Sequence, residues 1–131
     1  MICVVDTHAL VWAYTQDPLL SPAAAEILAN SRLRDVLASD VTLSEAARLI
    51  FARRLLVRSE PDTWLAGLSG HATIVAVTAA TAWLAARLPW DHKDPCDRQI
   101  VATALWRGVP LLTADRVITR DAKTLGLIVI W

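Results

Sequence analysis

Apolar residues follow two rhythms along the chain: short, nearly unbroken runs, and longer stretches with helical spacing. The runs are Ile2–Val5, Val36–Ser39, Ile74–Val77, Val109–Thr113 and Leu127–Ile130. Runs this short without polar alternation predict strands buried on both faces. Between them lie segments that read as helices. They are Thr7–Tyr14, a helix opened by Ser21-Pro22 and running through Leu28, about Asp40 to Leu55, and Ser59–Leu68 opened near Pro61. A further helix is capped by Thr78 and ends near Arg87, and another runs from Asp94-Pro95 to Arg107. Proline suits a first helical turn because its missing N–H has no intrahelical partner there, and Gly108 supplies a left-handed stop. Strands alternating with helices imply right-handed crossovers. The expected class is α/β, with a mostly parallel central sheet of about five strands flanked by α-helices. No repeat, linker or low-complexity tract interrupts the pattern, so residues 1–131 read as one domain.

Composition narrows the picture. Hydrophobic residues make up 55% of the chain and charged residues 20%, which excludes disorder. The high apolar share predicts some apolar surface reserved for a partner, and a second copy of the chain is the expected one. The longest apolar stretch, Ala72 to Ala86, is shorter than the ~20 residues of a membrane span. It also divides into a β-branched strand and an alanine-rich helix, so no membrane association is expected. The start of the chain lacks the basic region of a signal peptide. Cys3 and Cys96 have neither disulfide-framework nor zinc-knuckle spacing. A cytoplasmic setting follows.

Four acids stand where a parallel sheet binds ligands, beyond the carboxyl ends of its strands. Asp6 follows the first strand and Asp115 follows the fourth. Glu45 lies in the opening turns of the helix after the second strand, and Asp97 in the first turn of the helix begun at Asp94. Taken singly, Asp6, Asp97 and Asp115 also suit helix caps or turns, and Glu45 a solvated helix position. Taken together they predict one acidic centre. Like charges ~4 Å apart repel by about 4 kcal/mol at an effective dielectric near 20, a conflict that a divalent cation removes. All-oxygen ligation favours Mg²⁺ or Mn²⁺ over zinc, and such ions serve in-line phosphodiester displacement. The net charge is zero, with thirteen acids and thirteen bases. Four acids committed to a cation leave a basic surplus carried mainly by arginine, whose planar fork suits phosphate.

Three blocks carry a resemblance: Val5-Asp6-Thr7-His8-Ala9-Leu10-Val11-Trp12, His92-Lys93-Asp94-Pro95-Cys96-Asp97-Arg98 with the alanine-rich helix after it, and Leu111-Leu112-Thr113-Ala114-Asp115. They resemble, in order and spacing, the signature blocks of PIN-domain proteins, most of all the VapC-type toxins of bacterial toxin–antitoxin pairs. Glu45 falls where that family has its helical Glu, and Arg53-Arg54-Leu55 where a Gly-Arg-Leu-like turn is common. The resemblance implies a PIN-like fold and an Mg²⁺- or Mn²⁺-dependent endoribonuclease. It further implies a homodimer and a cognate VapB-type antitoxin whose tail occupies the acidic site. Carried over by position, Asp6, Glu45, Asp97 and Asp115 are the metal-binding and catalytic residues, with Thr7 and Thr113 orienting carboxylates or water. Two departures, Cys96 and Ser44, leave the acids intact.

Asp94 is assigned to capping its helix. Arg98 and Arg116, each directly after a proposed ligand, are the candidates for holding the RNA backbone, with a salt bridge to the same carboxylates as the other reading. Arg48, Arg53, Arg54 and Arg58 offer a basic face that RNA or solvent can cover. His8 is read as a packed first-turn residue, His92 as a loop residue ordering the Asp94 turn, and Trp83 and Trp106 as core. Two other readings of the acids stay open: a silent RNA- or protein-binding PIN module, and a phosphatase using Asp6 as nucleophile. The phosphatase is disfavoured because His8 stands where a second Asp belongs.

Overall fold

A computed structural model describes all 131 residues. Five parallel strands form one sheet: β1 (Cys3–Val5), β2 (Val36–Ser39), β3 (Thr73–Val75), β4 (Leu111–Leu112) and β5 (Val129–Ile130), in the order β3-β2-β1-β4-β5. Seven α-helices connect them: α1 (Thr7–Thr15), α2 (Pro22–Asn30), α3 (Val41–Phe51), α4 (Pro61–Ser69), α5 (Ala79–Arg87), α6 (Pro95–Arg107) and α7 (Arg116–Leu125). The chain builds outward from β1 to β3, then returns through α6 to lay β4 on the other side of β1. The direction of strand addition therefore reverses between β1 and β4. Such a switch point leaves a crevice at the carboxyl ends of the strands.

The sheet is covered on both faces, which explains the unbroken apolar runs. Cys3, Val5, Ala38 and Leu112 face one core with Leu10, Ala24, Trp64 and Leu68 from α1, α2 and α4. Val4, Leu37 and Leu111 face the other, against Ile100, Val101 and Ala104 of α6, Ile118 of α7 and Ala85 of α5. Neighbours in β1 thus point to opposite cores, as a strand's two-residue repeat requires.

Several expectations need correction. The strands β1, β3, β4 and β5 are shorter than their apolar runs. The helix α3 ends at Phe51 rather than Leu55, because Arg53 turns into the left-handed region at φ 58°. The pattern reading left out α7, although Asp115 caps it and Gly126 (φ 75°) ends it. Trp83 and Trp106 are 65% and 57% exposed and are not core. Trp64 is the buried tryptophan.

Gly108 ends α6 at φ 64°, and the space its missing Cβ would fill is open. Gly108→Ala is therefore expected to cost about 1 kcal/mol of left-handed backbone strain. A lower urea midpoint at unchanged slope checks it.

Candidate active site

The cleft at the switch point has a volume of about 210 Å³. All four expected acids line it, joined by Asp94 and Arg54. Asp6, only 6% exposed, leaves β1 and caps α1: its Oδ1 accepts from the Ala9 amide at 2.8 Å, and its Oδ2 from the Thr113 hydroxyl. The Thr113 Oγ1 in turn accepts from the Asp115 amide at 3.0 Å. Asp115 then caps α7 through the Ile118 amide at 2.9 Å. One buried hydroxyl thus ties the acid after β1 to the acid after β4. The hydrogen bonds that make these residues good caps also fix the direction of their carboxylates, so capping and site-building are the same geometry here.

From the other side come Glu45, on α3, and Asp97, in the first turn of α6. Asp94 caps α6 as expected, accepting from the Cys96 and Asp97 amides at 2.8 and 3.1 Å, and it also lines the cleft. Glu45, Asp94 and Cys96 bring ligand atoms within 4.8 Å of one another. Asp94 is thus closer to the acidic centre than a capping role alone implies.

Burial pushes the Asp6 carboxyl up to about 6, against the pull of the Thr113 hydroxyl and the Ala9 amide. Asp97 is raised as well. Burial is the main cause, the His92 contact opposes it, and the charges of Asp94, Asp115 and Glu45 add to it. Burial also raises the Cys96 thiol, whose sulfur accepts from the Arg48 guanidinium at 2.9 Å. A protonated, engaged sulfur beside carboxylates leaves the oxygens as the donors. Their number, and the raised carboxyls that a cation would return to the ionised state, fit a hard divalent ion.

Arg98 requires a correction. All five of its N–H groups donate to backbone carbonyls: Nε to Ala85, Nη1 to Trp90 and His92, and Nη2 to Ala86 and Leu88, at 2.7–3.2 Å. It fastens the end of α5 and the following loop to α6 and has no donor left for RNA. Arg116 is exposed at the start of α7. Thr7 is fully buried, and its hydroxyl donates to Thr42 on α3 at 3.3 Å rather than to a carboxylate. His8 is exposed on the cleft wall, with its ring tilted over Trp12, and is not packed away.

His92 has a larger place than its reading as a turn residue. Its Nε2 lies 2.7 Å from Asp97 Oδ2. The loop behind it is braced, with Trp90 packed at 4.8 Å from its ring and donating from Nε1 to Asp121 at 2.9 Å. A histidine five residues before a proposed ligand, ahead of a tight cap, was the available signal.

An α/β domain with carboxylates gathered at its topological switch point is the class that fold and cleft define. Residues 3–123 match the family model of the PIN domain, and the chain belongs to that family. It is 30% identical over 114 residues to Ribonuclease VapC22 of Mycobacterium tuberculosis, a match covering 86% of each chain. Among solved structures it resembles VapBC2 from Rickettsia felis, bound to a DNA fragment from their promoter, at a TM-score of 0.69 and 15% identity over 99% of this chain and 98% of that one. It also resembles VapC20 of Mycobacterium tuberculosis, described as a sarcin-ricin loop cleaving toxin, at a TM-score of 0.65 and 19% identity over 91% of this chain and 94% of that one. At these identities the two structures establish a shared fold. No helix is long and apolar enough to cross a membrane.

Proposed function

We propose that the chain is a Mg²⁺- or Mn²⁺-dependent endoribonuclease, the toxin of a VapBC-type pair, with Asp6, Glu45, Asp97 and Asp115 as its metal-binding and catalytic acids. The observation that carries this reading is the convergence of those acids on one cleft, with Asp6 buried and its carboxyl held near 6. The relative named a ribonuclease supports the activity. The fold shared with toxin–antitoxin assemblies supports a VapB-type antitoxin as partner. A homodimer accords with exposed apolar side chains such as Trp83, Trp106 and Phe51.

Each residue has a part that follows from its surroundings. Asp6 and Asp97, with Glu45 and Asp115 around them, would hold the cation. A divalent ion there supplies a counter-charge for the departing oxygen and lowers the pKa of an attacking water. Thr113 keeps Asp6 and Asp115 in register, and His92 holds one oxygen of Asp97. The N-termini of α1, α6 and α7 converge at the cleft through their caps Asp6, Asp94 and Asp115. Their dipoles favour negative charge there and so ease the gathering of carboxylates.

Purified protein is expected to cut RNA with Mg²⁺ or Mn²⁺, to stop when chelator is added and to resume when metal is restored. Turnover should exceed one equivalent of RNA. Cleavage that is indifferent to chelator would overturn the metal assignment, and stoichiometric binding without turnover would favour a silent module.

A further inference from the structure

Arginines dominate the chain's positive charge, and the structure separates them by what they already do. Arg98 is spent on five carbonyls, Arg48 on the Cys96 sulfur, and Arg120 on Asp121 at 2.9 Å. Arg54 is different. It is exposed, lines the acidic cleft, and makes no ion pair within 4.0 Å of any of the carboxylates around it.

The backbone puts it there. After α3 ends, the Arg53 amide donates to Ile50 O at 3.0 Å, and the Arg54 and Leu55 amides both donate to Leu49 O at 2.9 and 3.1 Å. Arg53 takes φ 58°, a left-handed conformation that costs a residue with a Cβ roughly 1 kcal/mol. Leu55 packs against the core and holds the turn closed. The chain thus folds back over Leu49, itself a wall of the cleft one helical turn beyond Glu45. The strained turn delivers a free guanidinium to the rim of a site otherwise lined with negative charge.

A nucleic-acid strand approaching such a cleft meets carboxylates that repel its phosphates. A cation at the rim offsets that repulsion, and a guanidinium matches phosphate geometry through two parallel hydrogen bonds. We propose that Arg54 holds a backbone phosphate of the RNA strand at the mouth of the cleft, the task first expected of Arg98 and Arg116. This rests on the ribonuclease reading and names the residue that positions its substrate.

The test compares wild type, Arg54→Ala and Arg54→Lys in steady-state RNA cleavage. Binding of a labelled single-stranded RNA is then followed by fluorescence anisotropy across salt concentrations, with Asp97→Asn added to each protein to keep the strand intact. Arg54→Ala is expected to raise KM roughly tenfold with a smaller change in kcat, and to make the log Kd against log salt slope shallower by about 0.7, one phosphate contact on a single strand. Arg54→Lys should keep the slope, because it keeps the charge, and recover only part of the affinity. Unchanged KM and slope in Arg54→Ala, with wild type cleaving normally, would overturn the assignment. So would a fall in kcat alone, which is the mark of a residue that only tunes the acids. Wild type that cleaves no RNA with either metal would instead sink the ribonuclease reading, while the salt slope still reports on Arg54. Matching thermal unfolding of the variants guards against misfolding.

Discussion

Asp6→Asn is expected to lower RNA cleavage at least a hundredfold and, without metal at neutral pH, to make the protein more stable. The first effect follows from its place in the cleft, since groups that merely support a metal ligand already carry roughly 10–100-fold. The second follows from linkage. The Asp6 carboxyl is raised from 3.8 to about 6 by burial, so the fold favours its protonated form. Below the unfolded value both states hold the proton and the group costs nothing. As pH rises from there through 6, the unfolded chain ionises first and stability is lost, on the order of 3 kcal/mol once the native carboxyl is also charged. Asparagine keeps an oxygen for the Ala9 amide and carries no charge, so the variant should lack this loss. Urea denaturation of the metal-free proteins should show them similar near pH 4 and the variant ahead at pH 7. Metal at about a hundred times its Kd should then stabilise wild type by about 2.7 kcal/mol and leave the variant unchanged. A variant that cleaves like wild type would remove Asp6 from the centre of the site. One less stable at pH 7 would show that the lost Thr113 hydrogen bond outweighs the relief of the buried charge.

The readable parts of the site were those in which one residue's chemistry and its place after a strand agree. Asp6 sits directly beyond β1 and Asp115 three residues beyond β4, and a parallel sheet dictates where such residues go. Glu45 and Asp97 needed the helices to be located, which Pro95 made possible for α6. What stayed hidden depends on partners without a side-chain signature. The acceptors of Arg98 are main-chain oxygens, and no residue type marks them, so a structural arginine beside a proposed metal ligand looked like a phosphate ligand. Arg54 was legible only as one of four arginines that RNA or solvent can cover. Its place in the cleft turns on Arg53 taking a left-handed conformation usual for glycine, which its residue type does not announce. Trp83 and Trp106 misled because α5 is alanine-rich and α6 mixes apolar and polar residues with little helical periodicity, and such helices do not say which side faces out. The helix α7 is legible in the sequence, since Asp115, Ile118, Ala122 and Gly126 mark its cap, its buried face and its end.

Arg98→Ala is expected to be among the most damaging single changes to the fold, at about 3–4 kcal/mol. Each hydrogen bond from a charged donor contributes about 1.5–3 kcal/mol. The five do not simply add, because carbonyls in a half-exposed loop regain water when the guanidinium leaves. Lysine should rescue little: its three donors diverge from a point and cannot reach carbonyls spread from Ala85 to His92. A lowered urea midpoint in both variants checks the stability. The functional consequence travels through the loop. With the Trp90 and His92 carbonyls released, His92 loses its brace and Asp97 the contact that holds one of its oxygens. Cleavage should therefore fall, through kcat and a weaker apparent affinity for metal. The salt slope of RNA binding should stay where wild type has it. A shallower slope in Arg98→Lys, with stability intact, would return Arg98 to the RNA. The same slope, lost in Arg54→Ala and kept in the Arg98 variants, separates the arginine that meets the strand from the one that builds the site behind it.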